Sequence, residues 1–247
     1  MLLLIGLGVG DARDISLRGL EAARKADKVY VELYTSKFSS SVEEIAEIIG
    51  REVEVLSRSD LEENCWKIVE EARDRDVAVL IPGDPMVATT HVILRLEARK
   101  RGVESRVIHS SSVVSAVCGA TGLQVYRFGK VATVSWTKSR APIDVLKANE
   151  SIDAHTLLLL DVDMSVSDAV EILVETDGSL AEKFAVGVAR IGWEPVLACD
   201  RLAKLTGYEF GDLPHCIVVL APTLHIVEYE YLSAFANAPK ELEVLVR

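Results

Sequence analysis

The stretch "VAVLIPGDPMVATTHVILRLEARKR", residues 77–101, decides the fold. It opens as an apolar, β-branched run of strand type and ends as a helix, with Gly83, Asp84 and Pro85 between the two. Gly83 permits a turn that a side chain would block, and Pro85 holds the preceding Asp84 in an extended conformation. A strand that passes through a tight turn into a helix is part of a βαβ unit, so the same pattern should recur on both sides.

It does recur. Upstream lie "EVEVL" as a strand and a helix capped by Ser59 and Glu62, whose apolar stripe is Leu61, Cys65, Trp66, Ile68, Val69 and Ala72. Further upstream, "SVEEIAEIIG" carries a capping box at Ser41 and Glu44 and closes on Gly50. "KVYVELYT" reads as a strand, "SLRGLEAARKAD" as a helix and "LLLIGLG" as the first strand. Such alternation predicts a mostly parallel sheet with helices on its faces. "SRVIHSS" ends this first unit near residue 110, and the small-residue helix "SSVVSAVCGATG" opens a second. There "KVATVSW", "HTLLLLDV", "FAVGVARIG" and "HCIVVLAP" read as strands, with helices in "SVSDAVEILVE" and "EYEYLSAFA". The expected division is residues 1–109 and 110–247, two α/β domains.

Composition narrows the function. The chain has 247 residues, 49% hydrophobic and 26% charged, which excludes a disordered or fibrous protein. The apolar start "MLLLIGLGVG" is about half the roughly 20 residues a membrane span needs, lacks a basic flank and runs into "DARD". It reads as a buried strand of a cytosolic protein without a membrane anchor. Cys65, Cys118, Cys199 and Cys216 form no close pair, so zinc and redox motifs are absent and free, mostly buried thiols are expected. A net charge of −11 without a basic block argues against nucleic acid as a partner.

The glycine-rich "GLGVGD", Gly6 to Asp11, sits between a strand and a helix, where a dinucleotide fingerprint would lie. Its third glycine falls one residue early and the helix starts late, so that reading fails. Two remain level: a tight turn that needs glycine, or a backbone that a ligand approaches, with Asp11 and Asp14 beside it.

The segment "IGLGVGDARDISLRGLEAARKADKVYVE", together with "PGDP", resembles the two leading motifs of the tetrapyrrole methylase superfamily. "YVELYTS", "PGDPMVATTH", "VIHSSSVVSAV", "TLLLLDV" and "LHIVEYEYL" resemble the branch of that superfamily that acts in diphthamide biosynthesis, and the likeness runs from Met1 to the C-terminus. The usual superfamily opening has a proline where this chain has "VGD", a change that branch shares.

The resemblance implies two α/β domains of tetrapyrrole methylase type with the donor site in the cleft between them. It implies S-adenosyl-L-methionine as methyl donor, no metal, and translation elongation factor 2 as the protein substrate, methylated on the amino group of a 3-amino-3-carboxypropyl-modified histidine. A homodimer is implied on the same ground. Carried over by resemblance, the donor contacts are Val9, Asp84, Val87, Ser112, Val113, Leu160, Ile191 and His215. Most are apolar, which suits adenine and a thioether arm held by packing and backbone groups. From "GDP" alone an ordinary turn would be favoured; the family likeness reverses that.

Other residues carry open readings. His215 is a donor contact or a strand-end histidine capping a backbone group. His91 and His109 lie near the expected site without an assigned role, His155 reads as structural, and His225 and Glu228 are substrate contacts or part of the domain interface. Trp66 reads as helix core and Trp193 as a pocket wall. Lys138 and Arg140 in "WTKSRAP" either receive the acceptor's carboxylate or sit in a solvated loop. The alternatives to this function are a methylase of the same fold acting on a corrinoid precursor or ribosomal RNA, and a non-catalytic ligand-binding module.

Overall fold

The first strand is buried along its whole length and hydrogen-bonded on both sides in the computed structural model, which describes residues 1–247. Contacts divide the chain into two units, Met1–Val113 and Val114–Arg247. The first comprises β1 (Leu2–Gly6), α1 (Leu17–Lys25), β2 (Lys28–Glu32), α2 (Val42–Ile49), β3 (Glu54–Leu56), α3 (Arg58–Glu62), α4 (Cys65–Glu71), β4 (Val77–Ile81), α5 (Val92–Lys100) and β5 (Ser105–Ile108). Its five strands run in the order β3-β2-β4-β1-β5, all parallel.

The near-continuous apolar runs follow from burial on both faces. Leu2, Leu4, Val77, Val79 and Ile81 point to one face and pack with Leu61, Cys65, Ile68, Val69 and Leu94. Leu3, Ile5, Ala78 and Leu80 point to the other and pack with Ala23, Ile45 and Ile49. Each large aliphatic side chain sealed this way contributes about 1.5–3 kcal/mol. The capping box at Ser41 and Glu44 forms as expected, and Gly50 closes α2 in the left-handed region.

The next helix departs from the sequence reading. Ser57 and Asp60 make the capping box, not Ser59 and Glu62, and the helix breaks at Glu63–Asn64 into α3 and α4. The segment holds two overlapping Ser-x-x-acid signals, and the upstream one is used. Leu61, Cys65, Ile68, Val69 and Ala72 are buried, but Trp66 is 43% exposed, lying beside the cations of Lys67 and Arg101. It stands about 100° round the helix from Cys65, off the buried stripe.

The second unit opens with α6 (Val113–Thr121), which begins at the junction. It comprises β6 (Ala132–Val134), α7 (Ala141–Glu150), β7 (Thr156–Leu160), α8 (Val166–Thr176), β8 (Phe184–Ala189), β9 (Val196–Arg201), β10 (His215–Val219) and α9 (Ile226–Phe235). The strand order is β6-β7-β10-β8-β9, with β6 parallel to β7 and the other pairings antiparallel. One face packs Leu158, Ala185, Ala189, Ile217 and Val219 against Ile143 and Leu146 of α7 and against Val166, Val170 and Leu173 of α8.

Two elements had no counterpart in the sequence reading. "APIDVLKANE" is α7, entered by a proline in its first turn, and β9 is an edge strand with charged Asp200 and Arg201 at its end. All four cysteines are free, with Cys65, Cys199 and Cys216 buried. No helix is long and apolar enough to cross a membrane.

Candidate functional site

In the first unit β4, β1 and β5 are neighbours, so their carboxyl ends meet at one edge of the sheet. The loops that follow β1 and β4 are zipped together by two backbone hydrogen bonds, Gly83 N to Gly8 O at 2.7 Å and Gly8 N to Gly83 O at 3.2 Å. This approach needs glycine. A methyl group on Gly6 would lie 2.6 Å from Gly83 O, and one on Gly8, whose φ is +86°, would lie 2.4 Å from Asp14 Cβ. What comes close to the glycine-rich turn is therefore the protein itself, and Asp14 Oδ2 accepts from Gly10 N at 2.8 Å to complete it.

Asp84 is 5% exposed. Its Oδ1 accepts from Met86 N at 2.9 Å, while Oδ2 accepts from Ser110 N at 3.2 Å and lies 2.8 Å from His109 Nδ1. The carboxylate thus fixes its own turn and the loop after β5. Thr89 has a part in the same turn. Thr89 Oγ1 donates to Pro85 O at 2.8 Å, which closes the turn before α5. Val9, Val87 and Val113 are half-buried and Ser112 is buried; Val9, Asp84, Val87 and Ser112 fall on the loops after β1, β4 and β5, and Val113 begins α6.

Behind that edge lies a buried polar pair that the sequence did not join. Glu32, at the end of β2, is 0% exposed and accepts from Tyr34 N, Thr35 N and Thr35 Oγ1. Its carboxyl is raised above the usual range by burial, an effect the Thr35 and Tyr34 donors partly offset. His91 Nε2 is 3.8 Å from Glu32 Oε1, and His91 is 2% exposed with neither ring nitrogen hydrogen-bonded. Burial pushes its pKa down to about 4, so the ring is neutral near pH 7.

In the second unit β10 is antiparallel to both β7 and β8, so its start adjoins their ends: Cys216 pairs with Leu159 and His215 with Ala189. Leu160, Ile191 and His215 therefore share one sheet edge. His215 Nδ1 accepts from Val166 N at 3.3 Å, at the first residue of α8, and Nε2 lies 3.1 Å from Asp212 O. Both nitrogens thus serve backbone groups, which leaves the ring face for any further contact. Its pKa is lowered by burial first, with the charge of Arg190 adding to that. Trp193 is 54% exposed beyond the same edge. Lys138 is ion-paired with Glu175 and largely exposed, and Arg140 is exposed at the start of α7.

Two of the remaining candidates are structural. Glu228 is 0% exposed and accepts from Gln124 N at 3.1 Å, His225 N at 2.9 Å, Arg127 Nη1 at 2.9 Å and His155 Nε2 at 3.4 Å. Burial opposes its ionisation, but the bonds from His155, Gln124 and His225 outweigh burial and bring its pKa down to about 2. His155, also buried, accepts from Ala221 N at Nδ1 over 2.9 Å, which assigns the proton to Nε2. A carboxylate with four donors and no path to solvent is not a proton acceptor for a substrate. His225 caps α9 through Nδ1 to Val227 N at 3.2 Å and is exposed.

The sequence reading passed over Arg190, the neighbour of Ile191. Its backbone is left-handed, φ +52°, and its Nε is buried with no acceptor.

A parallel α/β unit with glycine-zipped strand ends, joined in sequence to a mixed-sheet unit, defines a class that the comparisons with known proteins identify. The family model described as Tetrapyrrole (Corrin/Porphyrin) Methylases matches residues 1–198. A diphthine synthase of Archaeoglobus fulgidus is 54% identical over 250 residues, covering 100% of both chains. One of Methanosarcina mazei is 44% identical over 98% of both. A crystal structure of diphthine synthase superposes with a TM-score of 0.97 at 54% identity, covering 99% of each chain. The chain belongs to the tetrapyrrole methylase family of methyltransferases, and within it to the diphthine synthases.

Proposed function

We propose that the chain transfers methyl groups from S-adenosylmethionine to the amino nitrogen of a 3-amino-3-carboxypropyl histidine on translation elongation factor 2, the step of diphthamide biosynthesis that its relatives' name denotes. The observation that carries this reading is identity of 54% across the whole of both chains with a diphthine synthase. The donor is held by Val9, Asp84, Val87, Ser112, Val113, Leu160, Ile191 and His215. Five of these eight are aliphatic, which fits an adenosyl thioether, and the turns that carry them are pinned by hydrogen bonds before any ligand arrives.

The chemistry asks little of acidic or basic groups. The amine lone pair attacks the methyl carbon, the C–S bond breaks, and S-adenosylhomocysteine leaves with the sulfur lone pair. The donor methyl is already activated by its sulfonium, so alignment is the main contribution of the protein. The ammonium form must first lose a proton, and proximity of the positive sulfonium together with burial disfavours that form, so the proton passes to water without a dedicated base. Glu228 and His91, both sealed from solvent, fit this better than a general-base role.

The enzyme acts in the cytoplasm as a homodimer, a reading that rests on the family likeness. The alternative, a methylase for a corrinoid precursor or ribosomal RNA, is disfavoured by the relatives' names and by the net charge of −11. Labelled S-adenosylmethionine with elongation factor 2 bearing the aminocarboxypropyl histidine decides between them. Label in the factor is the expected result, and label only in ribosomal RNA would overturn it.

A further inference from the structure

Arg190 is the first residue after β8, and its backbone is held on both sides: its N–H donates to Pro214 O at 3.2 Å and its carbonyl accepts from Trp193 N at 3.0 Å. The φ of +52° is a conformation in which a non-glycine residue is uncommon and costs on the order of 1 kcal/mol or more. Nothing about the turn itself asks for an arginine; glycine or asparagine would suit the backbone better. The side chain compounds the cost. Nε is shut off from solvent with no acceptor, and the guanidinium has no carboxylate within ion-pair distance. Arg127 shows the contrast, because its guanidinium is met by Glu228, Asp153 and Thr223. A strained backbone that presents an unsatisfied, partly buried cation is unfavourable for folding in isolation, and such features concentrate where a ligand completes them.

The surroundings say which ligand. Beside the guanidinium runs the loop leading into β10: a methyl group on Gly211 would lie 3.8 Å from Arg190 Cζ and Nη2, an ordinary contact. That loop turns a carbonyl, Asp212 O, to His215 and brings no acidic side chain into ion-pair distance of Arg190. Leu160, Ile191 and His215 share this sheet edge. Of the other cations near it, Lys138 is taken by Glu175 and Arg140 stands in solvent. A planar guanidinium with no internal partner is shaped for two parallel hydrogen bonds to a carboxylate.

We infer that Arg190 receives the carboxylate of an α-amino-acid end. This rests on the proposed reaction, in which two molecules carry that group: the methionyl arm of the donor and the aminocarboxypropyl arm of the acceptor. Either one pairs with the open side of the guanidinium and neutralises its charge.

The test compares wild type with Arg190→Met and Arg190→Lys, with thermal unfolding first to establish that each variant is folded. Calorimetric titration uses S-adenosylhomocysteine, which has the carboxylate, and 5′-methylthioadenosine, which lacks the whole amino-acid arm. If the donor's carboxylate binds Arg190, the Met variant loses about tenfold or more for S-adenosylhomocysteine and nothing for methylthioadenosine, and the Lys variant recovers part of the loss. If the acceptor's binds, both affinities hold and the KM for modified elongation factor 2 rises by about tenfold or more while kcat changes little. Equal losses for the two nucleosides, or no change in any of the three quantities, would overturn the assignment. Should wild type bind S-adenosylhomocysteine yet leave elongation factor 2 unmethylated, the proposed reaction fails, and the difference between the two nucleosides still decides the role of Arg190.

Discussion

His109 Nδ1 and Asp84 Oδ2 are 2.8 Å apart, and through this bond the loop after β5 is fastened to the turn after β4. The two partners are unequal: Asp84 is buried and also holds two backbone N–H groups, while the His109 side chain is 68% exposed. Asp84→Ala strands those N–H groups and is expected to cost about 1–3 kcal/mol of stability and to weaken S-adenosylhomocysteine binding. His109→Ala should cost under about 1 kcal/mol, as for an exposed pair. Urea unfolding and calorimetry read both, and an Asp84→Ala protein as stable and as tightly bound as wild type would remove the clamp from the account.

The buried His91 gives a pH signature. Its pKa is depressed to about 4 in the folded chain, so between the unfolded value near 6.5 and about 4 the unfolded chain binds more protons. Stability is lost as pH falls through that window, by up to about 3 kcal/mol. Glu32, whose pKa is raised, acts in the opposite sense and loses stability as pH rises through its folded value. The difference between wild type and His91→Gln isolates the histidine: the variant should gain on wild type steadily from pH 6.5 down to 4 in urea unfolding. A constant difference across that range would show that His91 is not held neutral by burial.

Glu228→Gln removes one of the two carboxylates that meet Arg127, Asp153 remaining, and weakens the buried bonds to Glu228, at a cost of about 1–3 kcal/mol. The double variant with Arg127→Met should lose less than the sum of the two singles, because the pair acts as one unit. Thermal unfolding measures this. A stable Glu228→Gln protein that no longer methylates its acceptor would instead place this carboxylate in the chemistry.

Among His91, His109, His225 and Glu228, only His109 and His225 reach solvent. Alanine at either should leave single-turnover methylation, at saturating donor, within about tenfold of wild type, against the roughly 10² to 10⁴ a general base supplies. A loss of the larger size with donor and acceptor binding intact would identify a base.

How much of this was legible in the sequence depended on distance along the chain. Ser41 and Glu44 are three residues apart and their capping box could be read directly, as could the turn at Gly83 and Pro85, because local sterics decide both. The all-parallel first sheet follows from its uninterrupted apolar strands. β9 did not announce itself, since an edge strand needs no regular alternation, and α7 has a weak apolar face. Trp66 was misread because it sits beside Cys65 in sequence but about 100° from it round the helix, more than a quarter of a turn. The partners of Asp84 lie 25 and 26 residues away, and Glu228 is met by Gln124 across 104. No periodicity within one sequence joins such positions. Arg190 was overlooked for a different reason: the strain and the bare Nε that mark it are properties of the folded backbone alone.

The central place of β1 has a consequence for biosynthesis. Leu2 pairs with Val77 on one side and with Ser105 on the other, so this segment waits for neighbours made much later. At about 5–20 residues per second, a ribosome takes on the order of 5–20 s to deliver them. Throughout that interval "MLLLIGLGVG", uncharged and rich in aliphatic side chains, trails from the exit tunnel without a sheet to enter. The strand paired on both sides in the finished sheet is thus, during translation, an apolar segment with no partner to pair with.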